Sequence, residues 1–177
     1  VVDIIKNKAY YFRGENGEEM VEESVPSHLM EEASEAYNVL IENIANVDEE
    51  VAELFIGEEE VPPDLLKRAI RRQTIALNFV PVFMGSAYKN KGVQLLLDGV
   101  GEYLPSPSEV KNVAFDVTKS DEKIQLKCDD NEPTVALAFK LEEGQFGQLT
   151  YMRIYQGKIN KGDFIFNMKT GKKLKVP

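Results

Sequence analysis

The 177 residues contain no tryptophan, one cysteine and one histidine, and between Gly14 and Leu66 they contain no lysine or arginine. Each absence excludes something. Cys128 alone cannot form an internal disulfide, which fits a reducing compartment such as cytosol or an organelle matrix. Its setting, KCDDNEP, is that of an exposed thiol. With so few thiols and imidazoles, no cysteine pair or histidine cluster can hold zinc. Ser24, Ser27 and Ser86 have no histidine base at a plausible spacing, and a hydrolase triad drops out. His28 falls in the first turn of an expected helix, where the macrodipole disfavours its charged form. The longest apolar run, FVPVFM at 79–84, is far short of the roughly 20 residues of a spanning helix, and no membrane partner is expected. No apolar secretory segment opens the chain. Phosphate-binding signatures are missing as well: there is neither a GxxxxGK followed by Ser or Thr nor a GxGxxG.

Hydrophobic residues nonetheless make up 43% of the chain, enough for a real core. The net charge of −9 hides a sharp division. The stretch from Gly14 to Leu66 holds 17 acidic residues, whereas Lys67 to Pro177 holds 18 basic and 12 acidic ones, a net of +6. An acidic block is a poor match for nucleic acid, whose phosphates share its sign, and suits either a basic protein or a solvated surface.

Local patterns divide the chain near 105–112. Residues 1–5 and 9–12 are short apolar stretches, and RGENGEE carries an Asn-Gly turn that predicts an acidic hairpin, with Val21 and Val25 on its returning strand. Ser27 is placed to cap a helix whose apolar face runs Leu29, Ala33, Tyr37, Leu40/Ile41, Ile44. Asp48 can cap a second short helix with Val51, Leu54 and Phe55 inward and Gly57 ending it in the left-handed region. A third helix starts near Pro63 or Asp64, buries Leu66 and Ile70, and presents Lys67, Arg68, Arg71 and Arg72. NFVPVFM predicts a buried strand. Val93, Leu96/Leu97, Val100 and Leu104 then recur at helical spacing, ended by Pro105 and Pro107. From Val113 the period becomes two, in VALAFKL, GQLTYMRIYQG, INKGDFIFN and KKLKV, which predicts an all-β region closed into a small barrel.

Between the predicted strand and the last helix lies MGSAYKNKGVQ. Backbone N–H groups in a tight turn after such a strand can bind a carbonyl oxygen where α/β folds place ligands. Alone, the Gly85-Ser86-Ala87 tripeptide is equally a plain strand-to-helix turn. The longer string GSAYKNKGVQLLLDGVGEYLPSPSEV, however, resembles the last nucleotide-binding loop and final helix of the GTPase domain in the elongation factor G family. Upstream, KAYYF, the acidic hairpin and VPSHLMEEASEAYNVLIENIANVDEEVAELFIGEE resemble the subdomain inserted in that domain. Downstream, PTVALAFKLEEGQFGQLTYMRIYQGKINKGDFIFN is similar to the β-barrel that follows it.

The resemblance implies an α/β remnant of a P-loop GTPase domain over 1–104, with an inserted α+β subdomain over about 12–74. A linker at 105–112 and a partial all-β barrel, translation-factor domain II, over 113–177 complete it. It implies a part of a ribosome-dependent GTPase that promotes tRNA–mRNA translocation, using GTP and Mg²⁺ in a longer parent. Ser86 and Ala87 fall on the guanine-contacting loop, with the Ala87 N–H near the base's exocyclic oxygen, and Lys89, Asn90, Lys91 and Gly92 shape the turn into the helix. No residue of the chain matches the family's catalytic or metal-binding positions, and the segment alone is expected to bind GTP or GDP poorly and to hydrolyse nothing. Implied partners are ribosomal RNA, near residues 143–148, Arg153, Lys158 and Lys161, and the ribosomal stalk protein, at the acidic insert. A monomer is expected. The wording LEEGQFGQLTYMRIYQG is nearer the mitochondrial translocation factors, which implies a mitochondrial matrix protein, or a cytoplasmic one if bacterial. Gly99 stands where related sequences carry alanine, which implies a more pliable helix. A chain opening at VVDIIKNKAYYF without Met and closing on a lone strand is expected to be an internal piece of a longer protein. The alternatives are a ribosome-recycling GTPase of the same superfamily, or a noncatalytic module that binds ribosomal protein or RNA.

Overall fold

The structure, a computed structural model, describes residues 1–145 and 147–177. The chain forms two compact units, Val1–Leu104 and Pro105–Pro177.

The first unit opens with an antiparallel sheet ordered β1-β2-β3, from β1 (Val2–Asp3), β2 (Lys8–Arg13) and β3 (Glu19–Ser24). The Asn-Gly turn closes the β2–β3 hairpin, which pairs Tyr11 with Val21 and Phe12 with Met20. Tyr10 is buried on β2, and its hydroxyl donates to Glu22 Oε2 at 2.9 Å. Burial, then this carboxylate acceptor, pushes the phenol up to about 12.

Four helices follow: α1 (Met30–Ala45), α2 (Glu49–Ile56), α3 (Pro63–Ile75) and α4 (Val93–Tyr103). Ile41 and Ile44 of α1, Val51 of α2, and Leu65, Leu66, Ala69 and Ile70 of α3 form one core with Val61 and Tyr103. Pro63 opens α3 because the first helical position uses no N–H. Asp48 caps α2 as its side chain promises, accepting from the Val51 N–H. The same carboxylate, almost wholly buried, takes two hydrogen bonds from Arg72, at 2.8 and 2.9 Å, and one from Gln73 Nε2 at 2.9 Å. The Arg72 guanidinium therefore holds Asp48 below the usual carboxylate range.

Several expectations need correction. Ser27 does not cap α1: a 3₁₀ turn over Ser27–Leu29 moves the helix start to Met30, out of reach of its hydroxyl. Phe55, expected inward, is exposed; the core takes Val51 and Leu54 and leaves this last-turn ring outside. Gly57 stays right-handed at φ −73°, and Glu58 at φ 55° makes the left-handed turn instead. The Glu59 N–H then bonds to Leu54 O at 2.9 Å, the six-to-one bond of a Schellman end shifted by one residue. Arg72 is not simply presented to solvent but spent on Asp48 and Glu50.

The predicted buried strand at 79–84 is not a strand here. Val80 and Val82 are 77% and 83% exposed, and no described segment runs beside them to supply a ladder. Pro81 also lacks an N–H to donate. Gly99 is not a point of slack either. It is buried against the Phe83 ring, and a Cβ there would collide with Phe83 Cζ.

The second unit is all-β. Strands β4 (Val113–Asp116) and β5 (Glu122–Gln125), β6 (Val135–Gly144) and β7 (Gly147–Gln156), and β8 (Phe164–Asn167) and β9 (Lys172–Lys175) pair as three antiparallel hairpins. The period-two pattern thus gives strands at the expected places, but the sheets do not close into a barrel among the described residues. Among the described residues each hairpin's strand ladder is internal, and Leu137, Leu141, Leu149, Phe164 and Phe166 remain exposed on open faces. Pro107 begins a 3₁₀ turn with a full capping box, Ser106 and Glu109 exchanging bonds at the unit's entrance.

Candidate functional site

The loop at 85–92 is the most constrained irregular segment of the first unit. Its neck is built from two glycines. A Cβ on Gly92, at φ 79°, would lie 2.7 Å from Met84 O, and one on Gly85 would strike Lys91 O. Only residues without side chains let the two strands of the neck come this close. Above the neck, Ser86 N–H donates to Lys91 O at 2.8 Å and Lys91 N–H to Ser86 O at 3.0 Å, an isolated antiparallel bridge. The Asn90 N–H donates to Ala87 O at 3.1 Å, and the Lys89 N–H to Ser86 Oγ at 3.4 Å.

These bonds leave two amides at the tip. Among the described residues, neither the Ala87 nor the Tyr88 N–H has a protein acceptor. Ala87 is exposed, and the Tyr88 side chain is 98% exposed. Ser86 and Ala87 thus share one closed loop, with Ser86 holding the loop and the Ala87 N–H left without a protein acceptor among the described residues. Such a pair of fixed N–H groups can donate to a carbonyl oxygen or an anion. Lys89 and Lys91 flank it, exposed and outside every ion pair within 4.0 Å among the described residues.

The loop has a support that the residue pattern did not announce. Gly17, in the turn of the acidic hairpin, is buried although its neighbours are exposed, and a Cβ there would lie 2.7 Å from both Lys89 O and Asn90 O. The Asn-Gly pair signalled the turn but not what the turn touches. A cavity of about 650 Å³ lies elsewhere in this unit, walled by Ile4, Leu40, Phe79, Phe83, Leu95 and Tyr103. Ser86 and Ala87 do not line it.

The other expected surfaces are also locatable. Arg153 lies within β7, its guanidinium 5.3 Å from the Tyr155 ring centroid, while Lys158 and Lys161 sit in the connection to β8. Phe146, within 143–148, lies outside the described residues. Among the described residues no group of three His, Cys, Asp or Glu side chains is gathered to hold a metal, and no helix is long and apolar enough to cross a membrane. Cys128 is exposed and free.

No family model matches the chain. Individual relatives do. Over 176 residues it is 52% identical to elongation factor G 1 of Borreliella afzelii, covering 99% of this chain and 25% of that protein. It is 53% identical over its whole length to a mitochondrial elongation factor G-1 of Arabidopsis thaliana, 24% of which it spans. A solved Thermus thermophilus protein superposes with a TM-score of 0.67 at 25% identity, over 99% of this chain and 23% of that one. The chain is thus homologous, along nearly all of its length, to a part of elongation factor G, and spans about a quarter of the relatives it matches. Bacterial and mitochondrial relatives stand level in identity, so the expected mitochondrial origin gains nothing from them.

Proposed function

We propose that this chain is the guanine-side portion of a ribosome-dependent GTPase that moves tRNA and mRNA during translation elongation. One observation carries it: identity of 52–53% to elongation factors G is taken over 176 to 177 residues, a span that includes both units and far exceeds a shared loop motif. The loop geometry suits the role. A guanine presents an exocyclic oxygen acceptor, and the Ala87 amide is a fixed donor at an exposed tip, with the Ser86–Lys91 bridge holding it in place.

The residues present fit the base end of a nucleotide and not its phosphate end, since the chain has no phosphate-loop sequence. Among the described residues no side-chain group is gathered to hold Mg²⁺, which in a longer protein would supply charge neutralisation at the phosphates. Ala87 and Tyr88 orient the base, Gly85 and Gly92 hold the neck closed, and Lys89 and Lys91 add positive potential at the rim.

The test is GTP turnover with ribosomes. A protein of elongation factor G length carrying this segment should release phosphate from GTP at a ribosome-stimulated rate, and the 177 residues alone should release none. Turnover by the isolated chain that scales with its concentration would contradict the assignment of chemistry to other segments. Ribosome-independent behaviour of the longer protein would overturn the functional reading itself.

A further inference from the structure

The hairpin turn and the loop at 85–92 belong to segments far apart in the sequence, yet they meet at a buried glycine. Gly17 combines two constraints that are independent of each other. Its φ of +64° lies in the left-handed region, where a Cβ meets the following carbonyl. Separately, that Cβ would press on Lys89 O and Asn90 O at 2.7 Å, well inside van der Waals contact. Gly14, in the same turn at φ +87°, has the first constraint without the second, because the three atoms nearest a Cβ there all belong to the end of the flexible Glu18 side chain.

Asn90 is itself left-handed at φ 47°, and its N–H closes the loop on Ala87 O. Displacing the Asn90 carbonyl therefore rotates the peptide next to the bond that sets the loop tip. The hairpin is a rigid lever. Its ladder pairs six residues of β2 with six of β3, and ion pairs from Lys8 to Glu22 and Arg13 to Glu23 tie the strands together.

We propose that Gly17 is a positioning residue: the turn of the acidic hairpin braces the Lys89 and Asn90 carbonyls and fixes the direction in which the loop presents the Ala87 and Tyr88 amides. The inference deepens the guanine-loop reading above and, for its nucleotide consequence, rests on it. Load placed on the hairpin's carboxylates, Glu15, Glu18, Glu19, Glu22 and Glu23, reaches the loop tip through this contact.

Amide hydrogen exchange on the 177-residue chain tests the brace without any nucleotide. Gly17→Ala should raise exchange at Asn90 and Lys91 at least tenfold, while Gly14→Ala, equally strained in its backbone, should leave both within twofold. Gly17→Asn is the second variant, since Asn tolerates positive φ and keeps the hairpin folded while still crowding the carbonyls; it should behave as Gly17→Ala does. Equal effects from Gly14 and Gly17, or unchanged exchange at Asn90 in both Gly17 variants, would overturn the brace. In the protein of elongation factor G length, Gly17→Asn should speed GDP dissociation at least fivefold. A loop that loosens while GDP dissociation stays the same would leave the brace standing and sink the guanine-loop reading instead.

Discussion

Asp48 shows how a single side chain can be read correctly and still be underestimated. Its place before EEVAEL marks a helix cap, and it is one. Nothing in the neighbouring sequence announces that Arg72 and Gln73, a full helix away, converge on the same carboxylate. That convergence depends on how α3 packs on α2, which no local pattern encodes. Its consequence is a pH dependence of definite sign. Because the folded carboxyl is held below its ordinary value, its contribution is fully present above the unfolded pKa of about 3.9 and is lost as the pH falls through the folded value. Asp48→Asn keeps the cap but loses the charge-assisted bonds. Arg72 is half-exposed and regains water, so the cost at pH 7 should sit at the low end, about 1.5 kcal/mol. Urea unfolding should show that gap at pH 7 and a much smaller one near pH 2; an equal gap at both would remove the linkage. Ser86 and Ala87 were legible as a turn, whereas the brace at Gly17 was not, since it is a contact between distant segments.

The elements themselves were largely legible because amphipathic periodicity is strong in α1 and α3 and alternation is strong in β6 and β7. What failed were features set by neighbours: the strand at 79–84, which has no partner among the described residues, and the barrel, which needs closure between hairpins. Helix α4 joins the two lessons. It carries two glycines two residues apart, which propensity alone treats identically. Gly101 faces open space, so Gly101→Ala should stabilise the chain by about 1 kcal/mol, the helical cost of glycine. Gly99 packs on Phe83, itself 6.2 Å from the Tyr103 ring, so Gly99→Ala should lose that gain to crowding and destabilise by about 1 kcal/mol. Thermal unfolding of both variants and of Gly99→Ala with Phe83→Leu checks this. The added Leu should recover the loss, and additive effects would show that the ring is not the obstacle.

At the scale of the whole molecule, the charge division assigns different partners to different surfaces. The acidic stretch carries Glu49, Glu50, Glu53 and the run Glu58–Glu60 exposed, a face whose charge suits a basic partner. The second unit carries eleven of the sixteen lysines. In the longer protein, Lys158→Glu with Lys161→Glu should weaken ribosome binding several-fold at low salt and much less at high salt, as phosphate contacts do. Co-sedimentation across a salt series measures it, and an effect independent of salt would place these lysines off the RNA.

All of this depends on one amide. Replacing the Ala87 peptide N–H by an ester oxygen, in the protein of elongation factor G length, removes the donor and weakens the Ser86 carbonyl as acceptor for the Lys91 N–H, a loss common to every ligand. Beyond that common loss, GDP affinity should fall about threefold to tenfold, the worth of one net hydrogen bond, while a diphosphate of 2-aminopurine riboside, which lacks the exocyclic oxygen, should show the common loss alone. GDP affinity equal to that of the unmodified protein would contradict the account.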